Sequence, residues 1–380
     1  MGILDIVGTF GAVLKVGGSH TKVDSTIFQL HYRWTATIFF IAAAMVTASE
    51  FMGDPIQCIY ANAPADKPMT TWCWISSTYT INTTGSSKEL QGVGDNHNKD
   101  RVYHAYYQWV PFVLFAMGCL FYVPHMLWKA KEGKIVHNLL QGLHRTSLFQ
   151  DTNGKIEQII KYMNASVGLN NHYFTWYMVL EAMNLVNVVV NMCLLDKFVG
   201  GVFWEYGFEV IKFINMGEDE RDDPMKYAFP RITQCTFHST GISGTLEDKE
   251  MLCILPQNIM NEKIFLFLWV WMVVLTTITA CWIVWRVVVL LQPVLRLRLM
   301  EHVSSMNNDI AVAQSIQLMH LGDFCLLEVL SKNLDIASFN EVLKGITKKR
   351  ADGRVGSLSG PGGYKGYKNV DEDELLSNGK

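Results

Sequence analysis

Ile264–Trp285 reads IFLFLWVWMVVLTTITACWIVW, an apolar run with no Asp, Glu, Lys or Arg that stops at Arg286. A helix rising 1.5 Å per residue over such a run crosses the hydrocarbon core of a bilayer, roughly 30 Å thick, while satisfying its own backbone hydrogen bonds. Three more stretches upstream have the same character. Trp34–Met52 carries a charge only at Glu50, Tyr107–Trp128 carries no acid, Lys or Arg, and Tyr173–Leu195 carries only Glu181. The chain is 380 residues long and 49% hydrophobic, and the gathering of that share into four runs matters more than its total. The expected fold is mainly α: a four-helix transmembrane protomer with spans at 34–52, 107–128, 173–195 and 264–285.

The charges flanking the runs give an orientation. Lys129, Lys131, Lys134, Arg145, Lys155 and Lys161 lie between the second and third runs, and Arg286, Arg296 and Arg298 follow the fourth. Basic flanks stay on the cytoplasmic side. The 196–263 segment instead holds 12 acidic and 7 basic residues, as an external loop would. The expected order is therefore an N-terminal segment 1–33, external loops 53–106 and 196–263, a cytoplasmic loop 129–172, a cytoplasmic helical region 286–350 and a disordered tail 351–380. Both termini are then cytoplasmic. Ile3–Leu14 lacks the basic start and small-residue cleavage site of a signal peptide, and Ile6 stands where myristoylation wants Ser or Thr. Pro111 and Pro124 sit inside the second run, where each removes a backbone donor and predicts a bend.

Eight cysteines divide along the same lines. Cys119, Cys193 and Cys281 fall in the runs and Cys325 in the cytoplasmic region, whereas Cys58 and Cys73 belong to the first external loop and Cys235 and Cys253 to the second. On an oxidising face four cysteines form two disulfides, and arithmetic allows three pairings. The expectation is a disulfide-linked extracellular domain.

Little in the chain points to chemistry. Zinc-ligand spacings, a phosphate-cradling glycine loop and a nucleophile elbow are missing, so no enzyme, cofactor or metal is expected, and the net charge of −3 gives no reason to expect nucleic acid. Glu181, Asn184, Asn187 and Asn191 fall within about a third of a helix circumference. Such a stripe lines a conduction path or hydrogen-bonds between helices, and the second reading is the more economical. The external run Glu218, Asp219, Glu220, Asp222 and Asp223 attracts cations or is simply solvated. Asn82-Thr83-Thr84 is an external glycosylation sequon; Asn164-Ala165-Ser166 has the same form on the cytoplasmic side. Near the C-terminus, Asp371–Leu376 has the form of an acidic dileucine sorting signal.

Tyr106-Tyr107-Gln108-Trp109-Val110 enters the second run, and Gly53-Asp54-Pro55-Ile56 with Cys58 follows the first. These residues resemble the innexin family, the invertebrate gap-junction proteins. The resemblance rests also on Asp223-Pro224-Met225, Phe229–Phe237, Leu252-Cys253 and Asn261–Ile264, and on Leu321-Gly322-Asp323-Phe324 and Asn333-Leu334. Coverage runs from the N-terminus to about residue 345. Two cysteines per external loop also separate innexins from connexins, which carry three. The resemblance implies nested disulfides, Cys58 with Cys253 and Cys73 with Cys235. It implies a ring in the plasma membrane, an octamer of this chain or a mixture with other innexins, with Gly2, Ile3, Leu4 and Asp5 lining the pore. That ring would dock onto another on the neighbouring cell and pass ions and small metabolites. Two alternatives keep the same loops: an undocked hemichannel, as in the related pannexins, and a non-conducting adhesion or scaffold tetraspan.

Overall fold

A computed structural model describes residues 22–61, 63–81, 101–133, 135–140, 152–215, 224–241, 243–304 and 319–358, together with 312, 313 and 316. All four apolar runs are helices long and apolar enough to cross a membrane: α1 (Thr26–Met52), α3 (Tyr106–Glu132), α6 (Asn171–Phe198) and α9 (Pro256–Leu291). Each outruns the apolar stretch that announces it, because a helix once nucleated adds one backbone hydrogen bond per residue regardless of hydropathy. The first starts well before Trp34, where Ser25 Oγ accepts the amide of Phe28 at 3.1 Å as an N-cap. Within it Leu30–Thr35 forms a π-turn, and Thr35 Oγ1 donates back to the Leu30 carbonyl at 2.9 Å. Phe39, Val46, Leu114, Phe121, Val188, Phe265, Leu268 and Met272 bury themselves together as the core of the four helices.

The external segments contribute a sheet that their composition did not announce. Its strands are β1 (Gln57–Tyr60), β2 (Ala63–Pro64), β3 (Thr78–Ile81), β4 (Arg101–His104), β5 (Ile232–Thr240) and β6 (Leu246–Ile254), in the order β2-β1-β6-β5-β3-β4. Strands β5 and β6 form a hairpin in which Ile232 faces Ile254 and Thr240 faces Leu246. Its turn includes Gly244 at φ 76°, a left-handed position that glycine occupies without strain. Helix α2 (Lys67–Ser76) packs against β5 and β1, while α7 (Phe203–Asn215) and α8 (Pro224–Ala228) fill the second segment.

A second compact unit gathers Lys22 and the described residues of 135–174 and 289–358. Its helices are α4 (Ile135–Leu140), α5 (Thr152–Ala165), α10 (Pro293–Ser304), α11 (Leu321–Asn333) and α12 (Ile336–Leu358). Ile156, Ile159, Ile160 and Met163 of α5 are buried, as are Phe339, Val342, Leu343 and Ile346 of α12, at the helical spacing of an apolar stripe. A tail of disorder is expected from Ala351, yet α12 stays helical to Leu358, again by propagation of an established helix. Residues 359–380, including the dileucine sequence, lie outside the described residues.

Candidate functional site

The feature most suited to a function is the sheet domain and its attachment to the span ends. Cys58 and Cys253 stand directly opposite each other on β1 and β6 and are joined by a disulfide (S–S 2.04 Å). Cys73 of α2 is joined to Cys235 of β5, with Cα atoms 5.8 Å apart. The bridges therefore run between the two loops, in the nested order. All four cysteines are buried with Ile56, Tyr107, Met251 and Leu255. Their sulfurs crowd together, those of Cys58, Cys73 and Cys253 lying within 4.8 Å of one another. This is thiol geometry a metal would accept, but the disulfide bonds already use the sulfurs.

The Tyr106–Val110 motif joins the second span to that domain. The Tyr107 side chain is fully buried against Trp74, with ring centroids 4.6 Å apart, and its hydroxyl donates to the Trp74 carbonyl at 3.5 Å. Gln108 Nε2 donates to the same carbonyl. Tyr106 reaches the other loop, donating to the Ala228 carbonyl at 3.4 Å with its ring against Phe198 and Phe229. Aromatics at the entrance to a span ordinarily sit at the membrane interface, yet of these three only Trp109 is well exposed. The others are pins, because two large rings with polar tips can fill a core and still satisfy backbone carbonyls.

The fourth span is fastened in the same region. Glu262 is fully buried and takes Arg231 Nε at 3.1 Å and Nη2 at 2.6 Å on one oxygen, and Lys263 Nζ at 2.7 Å on the other. Tyr206 donates to its carbonyl at 3.2 Å, and Asn258 Nδ2 donates to the Pro230 carbonyl at 2.8 Å. A buried carboxylate is tolerated only with such paired partners. His104, at the end of β4, bonds Thr80 Oγ1 at 2.8 Å, and burial pushes its imidazole down to about 4.

The polar stripe of the third span faces protein. Glu181 accepts Trp282 Nε1 at 3.2 Å and lies 3.6 Å from Arg286 Nε, both groups buried. Sequence reading takes Arg286 as a cytoplasmic flank; within the longer α9 it is also the partner of Glu181. Asn184 is buried, and Asn191 donates to the Asn187 carbonyl at 2.8 Å. Asn187 Nδ2 donates to the Leu120 carbonyl of α3 at 3.1 Å. That carbonyl is the one Pro124, four residues on and lacking an N–H, leaves without its helical donor. The proline and the asparagine, on different helices, thus answer one another.

In the helical unit the Leu321–Phe324 and Asn333-Leu334 motifs have structural work. Asp323 is fully buried, accepting Asn170 Nδ2 at 2.8 Å and the Gly168 amide at 3.3 Å, and the Gly322 amide donates to Asn171 Oδ1 at 3.0 Å. A Cβ on Gly322 would meet the backbone of Asn170 and Asn171. Asn333 clasps Lys22, taking its amide at 2.6 Å and giving Nδ2 to its carbonyl at 2.9 Å. Asn164 of the second sequon lies in α5, its amide donating to the Ile160 carbonyl at 2.9 Å. Gly2, Ile3, Leu4 and Asp5, Asn82 and the acidic run from Glu218 lie outside the described residues.

Four apolar helices with a disulfide-locked sheet domain built from the two intervening loops define a multi-pass membrane protein. The family model described as Innexin matches residues 24–350. The chain is 37% identical to "Innexin inx3" of Drosophila melanogaster over 353 residues, covering 89% of each. It is 36% identical to "Innexin inx2" of the same fly, covering 91% of this chain and 96% of that one. Against "Innexin shaking-B", also of the fly, it is 34% identical, with 91% and 95% covered. The chain belongs to the innexin family, whose members are gap-junction channel proteins.

Proposed function

We propose that this chain is a subunit of a gap-junction channel in the plasma membrane, passing ions and small metabolites between adjoining cells. Family membership over residues 24–350 carries the reading. One protomer of four helices encloses no wide aqueous path, so conduction requires a closed ring of copies, an octamer in this proposal, with other innexins as alternative members. The basic flanks put both termini in the cytoplasm and the sheet domain outside. There the disulfides hold it rigid, and a rigid surface loses little entropy on meeting its counterpart. Gly2, Ile3, Leu4 and Asp5 line the pore, Asp5 as a ring of negative charge. The activity is transport, with no reaction catalysed.

Recording from paired cells that express only this chain tests the proposal. Junctional conductance is the expected result. Conductance across the membrane of unpaired cells alone would favour the undocked hemichannel, for which a glycan on Asn82 supplies a steric reason, and no conductance in either setting would favour the adhesion tetraspan. Sugar found on Asn164 would reverse the orientation.

A further inference from the structure

Helix α7 belongs by sequence to the second external loop, yet it is packed beside the apolar part of a span. Gly200 and Gly201, at φ 88° and 86°, turn the chain sharply after α6, and the Asp196 carboxylate accepts the Trp204 amide at 3.2 Å to start α7. Gly207 lies under the Trp269 indole so closely that any Cβ there would enter the ring. Trp269 Nε1 donates to the Trp204 carbonyl at 3.2 Å, Phe208 meets Trp269 edge-on at 4.8 Å, and Phe203 meets Phe265 at 6.2 Å. The apolar run of α9 begins after Lys263, and Trp269 is six residues beyond it, about 9 Å along the helix. The helix α7 is therefore level with the first turns of hydrocarbon-spanning sequence.

Three stripes run along α7. Phe203, Tyr206 and Val210 are buried, Glu205, Glu209 and Lys212 are exposed on one flank, and Trp204, Phe208 and Ile211 are exposed on another. At 100° per residue the exposed apolar stripe is distinct from the charged one. Phe267, Val270 and Val274 of α9 are apolar and exposed as well.

We propose that α7 is a partly immersed interfacial helix, seating Trp204, Phe208 and Ile211 in the acyl chains of the leaflet nearest the sheet domain and keeping Glu205, Glu209 and Lys212 in the headgroup and water layer. A helix with one apolar and one charged flank takes this position at a membrane surface, and Trp suits it especially. The second loop then has a lipid anchor: Tyr206 on the buried face ties α7 to the Glu262 carbonyl and meets Phe229 edge-on, close to the Arg231–Glu262 pair. The inference rests on the membrane placement of the spans and is independent of docking or conduction.

The test is photocrosslinking of the full chain in phosphatidylcholine nanodiscs, with p-benzoylphenylalanine replacing Phe208 in one variant and Glu209 in another. The expected result is phosphatidylcholine adducts at position 208 several-fold above those at 209. Adducts from 208 to a second copy of the chain would overturn the proposal in favour of a subunit interface, and equal, low lipid adducts at both positions would overturn it in favour of solvent. Should either variant fail to fold, nitroxide labels at Ile211→Cys and Lys212→Cys, with Cys119, Cys193, Cys281 and Cys325 replaced by Ala, give a second reading. Greater access to oxygen than to a water-soluble nickel complex is expected at 211 and the reverse at 212; the same ratio at both would sink the idea.

Discussion

The sheet domain and the helical unit of 135–174 and 289–358 face one problem and meet it by different means. Each is assembled from segments far apart in sequence, so each must overcome the entropy of closing a long loop. The sheet domain does so covalently, with bridges spanning 195 and 162 residues. The helical unit holds Cys325 as a buried free thiol and instead brings Asp323 to Asn170 across 153 residues by hydrogen bonds, with Gly322 pressed against the Asn170 backbone. In the orientation proposed above, the difference follows from compartment. Disulfides persist on an oxidising face and not in a reducing one, so the reducing side has only packing and buried polar pairs to use.

The largest expected effect comes from removing the covalent device. Replacing Cys58 and Cys253 together by Ser should cost about 2–5 kcal/mol, read as faster hydrogen exchange in β1 and β6 with α11 and α12 unchanged. Equal loosening of the helical unit would break the comparison. Next comes acid. His104 is neutral in the folded domain with its imidazole near 4, against about 6.5 when unfolded, so the unfolded state takes up the proton first as pH falls. Sheet-domain stability should hold above about pH 6.5 and decline from there to about pH 4, by up to ~3 kcal/mol for a shift of that size. Denaturation of wild type and His104→Gln at successive pH values checks this; an unchanged slope in the variant would reassign the cause. Gly322→Ala pushes a methyl group into the backbone of Asn170 and should cost about 1–3 kcal/mol, seen as lost exchange protection in α11 alone.

The smallest effect belongs to the spans, which carry no bridge and join polar groups from helix to helix. Asn187→Leu should cost about 1 kcal/mol by returning the Leu120 carbonyl to its unpaired state, and less in a Pro124→Ala background, where the helix supplies its own donor. Thermal stability of the two single variants and the double variant in detergent measures the coupling, and additive losses would separate the two residues.

How much of this was legible varied by residue. The four spans were plain, because apolar length is a one-dimensional property that a bilayer reads directly. The functional class was carried by motif resemblance, with Tyr106–Val110 and Leu321–Phe324 as its clearest parts. The sheet was not legible: its strands are mostly four residues or fewer, and β1 and β3 each take one partner from the other loop. The partnership of Glu181 with Arg286 was equally hidden, because Arg286 sits at the edge of an apolar run where a flanking charge is the ordinary reading.

The sequence by itself determined the membrane class, the number of spans and the separation of the four loop cysteines from the rest, since each follows from local composition and the solvent it meets. Only the tertiary structure decided that Tyr106 and Tyr107 are pins in a core, that Asn187 answers Pro124, and that a helix within the second loop lies against the apolar face of the fourth span. Those facts depend on which atoms are brought together from distant parts of the chain, and packing and hydrogen-bond satisfaction are pairwise quantities that no single stretch of sequence contains.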